Sequence, residues 1–297
     1  MRQGRKSPPP VRRWPTLCAL LAILCLAPDQ AMAMPLQEYA KTNGNPDVTV
    51  TDEKVTFYGM EIDLHKGEEQ YMCAEDTFTM SYKGTQVSPE GYPGCFMLDS
   101  AEIRQNFPDP GMTTLVLPAW DGGGRCCGSY HVFVKNGERL LHTLFPQSKL
   151  VDGNILVDGG LLRFYDQSFM DGSVAEGDQF VTFFIAFFPR PERFYVFENN
   201  AWRVDKEGEF PKRYRHLYDV MKTKNPAYDG QGEKNLNASL AVYLTYYCLM
   251  MGGPDQKCRD VARDSLSQEN KPLARKLFGR VVEEVMDCNL ISNTAVY

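Results

Sequence analysis

Positive charge, histidine and tryptophan are scarce in this 297-residue chain. It carries 32 Lys and Arg against 38 Asp and Glu, a net charge of −6, with 4 His and 3 Trp. Residues 1–33 hold five of the basic residues (Arg2, Arg5, Lys6, Arg12, Arg13) and one acid, Asp29, so the remainder has 27 basic and 37 acidic residues, net −10. A chain that acidic lacks the electrostatic footprint that nucleic acid or anionic lipid requires. Long apolar runs are missing too. The longest near the start, Thr16 to Ala27, is twelve residues, short of the roughly 20 that a helical membrane span needs. No Gly-x-Ser-x-Gly, His-Glu-x-x-His or paired Cys-x-x-Cys motif occurs, which removes the nucleophile elbow, the zincin helix and the zinc ribbon.

What is present begins with a leader. A basic stretch, an apolar stretch and the small-x-small triplet Ala31 to Ala33 have the three-part layout of a secretory signal cleaved near Ala33. The expectation is a periplasmic or secreted protein with no membrane span once the leader is removed. Cysteine usage agrees. Seven cysteines follow the leader, namely Cys73, Cys95, Cys126, Cys127, Cys248, Cys258 and Cys288. In an oxidising compartment they are read as disulfide candidates, with at least one free, capped or intermolecular because seven is odd.

Residues 34–225 read as a β-rich domain. Stretches such as "VTVTDEKVTFYGMEIDL", "TFTMSYKGTQV", "TTLVLPAW" and "RFYVFENNAWRVD" combine β-branched and aromatic residues with Gly, Pro, Asn and Asp at their ends. Turn residues recur about every ten positions, as in an antiparallel sandwich, barrel or propeller-like stack. Tyr214 to Met221 has room for a short helix. Residues 226–234 are a linker by composition, and 235–297 change to helical periodicity. The run from Asn235 stops at Gly252-Gly253-Pro254, a shorter helix holds Cys258, and a third follows Pro272 with an apolar stripe of Leu273, Leu277, Phe278, Val281, Val282, Val285 and Cys288. The fold class is therefore α+β: a mainly antiparallel β-domain followed by a C-terminal three-helix unit. An up-down-up arrangement brings Cys248, Cys258 and Cys288 to one pole and favours Cys258–Cys288 or Cys248–Cys288 over Cys248–Cys258.

The densest stretch for chemistry is Asp121 to His142, "DGGGRCCGSYHVFVKNGERLLH". Asn136-Gly137 is a two-residue type I′ hairpin signature. Pairing about it sets Phe133 against Leu140 and His131 against His142, with Cys127 and Ser129 on the histidine face. No helix signature follows Gly122 to Gly124, so a phosphate loop fails; the glycines suit a crowded corner. Ligand-binding candidates are Trp120, Asp121, Tyr130, His131 and His142, on a rim where aromatic side chains suit protein, peptide or carbohydrate contacts. No catalytic residue, metal site or cofactor is assigned.

The segments "DGGGRCCGSYHVF", "LLRFYDQSF", "RFYVFENNAWRVD" and "GEFP" resemble a scattered group of exported bacterial proteins of unassigned activity that carry a Gly-Gly-x-Cys-Cys segment in a β-rich domain. The resemblance covers about residues 115–211. Arg125 stands where that group often has histidine. The resemblance implies an exported β-domain and no catalytic residues. The functional expectation is a cell-envelope binding or interaction protein without catalytic activity; the alternative is a thiol-dependent hydrolase or thiol-redox enzyme using Cys126, Cys127 and His131.

Overall fold

The computed structural model describes residues 33–67, 76–88, 92–120, 128–145, 156–165, 173–176, 179–182, 189, 191–223, 233–286 and 295–297. Antiparallel sheets occupy residues 33–204, and a helical layer follows. Three sheets stack. The front sheet has the order β2 (Val48–Val50), β3 (Lys54–Phe57), β4 (Met60–His65), β5 (Thr77–Tyr82) and β6 (Thr85–Gln86), with β7 (Tyr92–Pro93) also on β5. The central sheet runs β1 (Ala33–Pro35), β9 (Glu102–Gln105), β10 (Thr113–Trp120), β11 (Gly128–Asn136), β12 (Arg139–Phe145) and β19 (Ala295–Val296), with β8 (Cys95–Phe96) on β10. The back sheet is β13 (Leu156–Asp158), β14 (Leu161–Tyr165), β17 (Glu192–Glu198) and β18 (Ala201–Val204); β15 (Ser173–Glu176) and β16 (Gln179–Thr182) form a separate hairpin.

Alternation along the central strands explains the stacking. Leu115, Leu117, Phe133 and Leu140 join Phe57, Ile62 and Phe78 in the front core. The intervening Val116, Val132, Val134 and Leu141 join Leu162, Phe164 and Trp202 in the back core. A strand buried on both faces has no polar face to show, which is why "TTLVLPAW" is nearly continuous in apolar residues. Full burial of a side chain such as Phe133 contributes roughly 1.5–3 kcal/mol.

The helical layer packs on the back sheet through Phe194. It has four helices: α2 (Pro211–Thr223), α3 (Glu233–Met250), α4 (Asp255–Ser265) and α5 (Ala274–Met286), while α1 (Leu36–Thr42) lies beside the front sheet. The expected three-helix unit thus gains α2, which contacts α3. Tyr246, Tyr247 and Val242 on α3 share the helical core with Leu277 and Val281 of α5, and α3 is apolar over most of Ala238 to Met250 because it is buried on most sides. Among the described residues, no helix is long and apolar enough to cross a membrane.

The disulfide of this layer is Cys248–Cys258, with a Cα–Cα distance of 5.6 Å. This corrects the expected preference for a Cys288 partner, a residue outside the described set. The cause is the helix stop. Gly253 N–H donates to the Cys248 carbonyl at 3.1 Å and Gly252 N–H to that of Leu249 at 2.7 Å, with Gly252 at φ +73°. This Schellman pattern turns the chain back within four residues and sets Cys258, in the first turn of α4, against Cys248. Gly253 lies on the bridge itself: a Cβ there would stand 2.9 Å from Cys258 Sγ.

Candidate functional site

The β11–β12 hairpin forms, but one residue out of the expected frame. Asn136 pairs with Arg139, Phe133 with His142 and His131 with Leu144. The turn is therefore Gly137-Glu138. Gly137 has φ +58°, and Glu138 is not among the described residues of positive φ, the pattern of a II′ turn, which takes glycine first. Asn136 is kept in the strand, where its Nδ2 donates to Asn200 Oδ1 at 2.8 Å. Asn200 belongs to the genuine I′ turn of this region, Asn199-Asn200, at φ +54° and +61°. Because both strands slip by one, face assignments survive. His131 and His142 share a face as diagonal rather than direct neighbours.

Their contact is close. His131 Nδ1 and His142 Nε2 are 3.0 Å apart, and the rings lie 7° from parallel with centroids at 5.1 Å. His142 stacks on Phe133 at 4.4 Å. His131 is 2 % exposed and meets Phe78 and Phe96 edge-to-face at 5.4 and 5.2 Å. Burial drives its pKa well below the usual imidazole value, and the charge of His142 adds to this. Burial brings His142 down to about 4. Both rings are therefore neutral at pH 7, one nitrogen donating to the other. His131 Nε2 is buried without a hydrogen-bond partner.

The expected rim does not assemble. Tyr130 points into the back core, 5.0 Å from Phe164, and burial, then Glu102, raises its pKa to about 12. His131 points into the front core. Trp120 is half-buried at the end of β10, opposite Cys95. Alternation sends neighbouring residues 130 and 131 to opposite faces, so they cannot line one surface. Asp121, Cys73, Cys126, Cys127 and Cys288 lie outside the described residues. Cys95 is disulfide-bonded. Among the described residues, no group of three His, Cys, Asp or Glu is placed to hold a metal ion.

An open concavity lies elsewhere, with no mark in the sequence beyond the short strand "VTV". Two cavities of 320 and 480 Å³ share Gln37, Asp52 and Leu98, so they make one groove of ligand-site size. One wall is α1, presenting Gln37, Ala40 and Lys41, which are one helix face by their spacing. The other is β2 and the turn after it, Val48 to Asp52. Beyond Asp52 the groove continues past His65, Lys66 and Asp76 towards Phe96 and Asp99. Gln37 Nε2 donates to Asp99 Oδ1 at 3.1 Å, and Asp76 Oδ1 accepts from Gly67 N–H at 2.9 Å. The β2–β3 turn is tied by Thr51 Oγ1, which accepts from Lys54 N–H at 3.0 Å and leaves Asp52 exposed at the bend.

A second buried polar group, also unforeseen, joins the back sheet to the helices. Arg193 Nη2 donates to the Val285 carbonyl at 3.0 Å and Nη1 to that of Glu284 at 3.4 Å, at the C-terminal end of α5. Arg193 Nε stands 3.5 Å from Asp205 Oδ1, and Tyr214 Oη donates to Asp205 Oδ2 at 2.7 Å. Burial raises the Asp205 carboxyl to about 7 against the pull of Tyr214 and Arg193. This group is sealed and serves the packing of layers. An arginine inside the apolar run "RFYVF" was its only trace in the sequence.

Comparison with family models, curated proteins and solved structures returns no match for this chain.

Proposed function

We propose that this is an exported, non-catalytic binding module of the cell envelope, and that its ligand surface is the groove between α1 and β2. The carrying observation is the contrast in access. The groove is open and lined by side chains and main chain, whereas the histidine pair is neutral and packed among Phe78, Phe96 and Phe133. The leader layout supports export, and the Cys248–Cys258 bridge suits an oxidising compartment. A general base poised near neutrality is what the rival thiol enzyme needs, and His131, held far below that range, offers it no support.

The test is direct. The purified chain is screened against soluble peptidoglycan fragments, glycans and peptides, alongside Ala40→Trp, which fills the groove from its helical wall. A ligand lost on Ala40→Trp with an unchanged melting temperature is expected. Ligands insensitive to that substitution, or an accessible thiol of lowered pKa found by pH-dependent alkylation, would overturn the reading.

A further inference from the structure

We infer that the occupant of the groove is an extended peptide bearing a lysine or arginine, added as a new edge strand on β2; this rests on the groove being the ligand surface. The register of β2 carries the first half. Val48 pairs with Phe57, Thr49 with Thr56 and Val50 with Val55. The flanking bonds, Tyr58 N–H to the Asp47 carbonyl and Thr51 N–H to that of Lys54, are both 2.8 Å. Hydrogen-bonded pairs alternate along an antiparallel ladder, so Thr49 faces β3 with both backbone groups and Val48 and Val50 direct theirs to the open edge. Val48 N–H turns back to Asn45 O at 3.1 Å. The Val48 carbonyl and both polar groups of Val50 remain, aimed into the groove whose wall they form. An extended chain satisfies such groups by strand addition.

Charge and shape carry the second half. Across the groove three carboxylates, Asp52, Asp76 and Asp99, stand against two lysines, Lys41 and Lys66. Among the described residues Asp52 takes no hydrogen bond or ion pair, and it stands where the two cavities meet. A cationic side chain leaving the added strand there reaches Asp52 first. Carbohydrate is less favoured: the cavity along β2 has no aromatic lining residue on which a sugar ring stacks, and Phe96 in the other half already packs on Phe78 and His131. Three main-chain bonds and one exposed ion pair make a weak, exchangeable complex, with Kd on the order of micromolar or above.

The experiment is selection from a random heptapeptide library on the full chain. The expected winners hold Lys or Arg flanked by β-branched residues. Three changes to the best peptide complex are then measured. Asp52→Lys weakens it at least tenfold and turns preference towards a Glu-bearing version of the peptide. Val50→Pro, which removes an N–H the ladder does not use, weakens it at least tenfold. N-methylation of alternate peptide nitrogens does the same and leaves the protein untouched, so the result stands even if Val50→Pro fails to fold. Winners without a cation, or binding that survives N-methylation, overturns the inference. So does a glycan that binds, is lost on Ala40→Trp and ignores Asp52→Lys, an outcome that keeps the groove as the ligand surface and rejects the peptide. No ligand of any class at the groove rejects both.

Discussion

The front and back of the molecule bury polar side chains in opposite ways. In front, His131 and His142 sit among phenylalanines, uncharged, with one hydrogen bond between them and one nitrogen unsatisfied. Behind, Arg193 keeps its charge because it has somewhere to put it: two carbonyls at the negative end of α5, and Asp205. Imidazole escapes the cost of burial by losing its proton; guanidinium cannot, so the fold must supply partners. The histidine pair therefore fills space in one core, while the arginine cluster fastens a sheet strand, a post-sheet loop and two helices. Polar burial does structural tying only where the charge survives.

Breaking the back cluster is the most costly change. With Arg193→Met, Asp205 loses its cation and the Glu284 and Val285 carbonyls lose their donors. Urea unfolding at pH 8, where Asp205 is ionised, is expected to show a loss of about 3–5 kcal/mol. At pH 6 the loss is smaller, because Asp205 is then protonated. An equal loss at both pH values would show that the charge on Asp205 is immaterial.

The second effect is a pair of pH dependences of opposite sign. His142 has its folded pKa lowered from 6.5 to about 4, so its contribution is present above pH 6.5 and is lost as pH falls towards 4, up to about 3 kcal/mol. Asp205 has its folded pKa raised from 3.8 to about 7, so its contribution is present below pH 3.8 and is lost as pH rises through 7. The two windows overlap and oppose each other, so His142→Phe should leave stability falling as pH rises from 4 to 7, and Asp205→Asn should leave it rising from 4 to 6.5. Thermal melts from pH 4 to 8 on the three proteins decide it; identical curves would contradict both assignments.

Smaller again is Tyr214→Phe. It removes the donor to Asp205 and the acceptor for Phe194 N–H, for about 1–3 kcal/mol by chemical denaturation. The smallest expected effect sharpens the contrast most. Replacing both His131 and His142 by Phe removes donor and acceptor together, and the result should lie within about 1 kcal/mol of the parent at pH 7. A much larger loss would mean that the histidine pair ties the hairpin as firmly as Arg193 ties the helices.

Faces were legible in the sequence where frames were not. The Lys83-Gly84 turn lies where its residues imply, at φ +48° and +79°. At Asn136-Gly137 the same logic lands one residue early, because Asn136 has a better use in bonding Asn200, which no local rule contains. The two histidines still meet, since a slip shared by both strands preserves the two-residue period. The Cys248–Cys258 bridge follows from the path of the chain through Gly252 and Gly253, and helix counting alone misplaces it. Pairing Arg193 with residues far along the chain, or setting α1 against the edge of β2, depends on how layers stack. Those relations have no signature in any window of sequence.

β19 gives the central sheet a history. It pairs Val296 with Leu141 and Ala295 with His142, so the outer edge of β12 receives its partner from residues that follow all five helices. During synthesis the hairpin carrying His142 emerges long before that partner exists. Contacts of such high sequence separation form late and slowly. Until the helical layer has been made, the middle of the stack keeps an open margin, the kind of surface on which incomplete chains associate with one another.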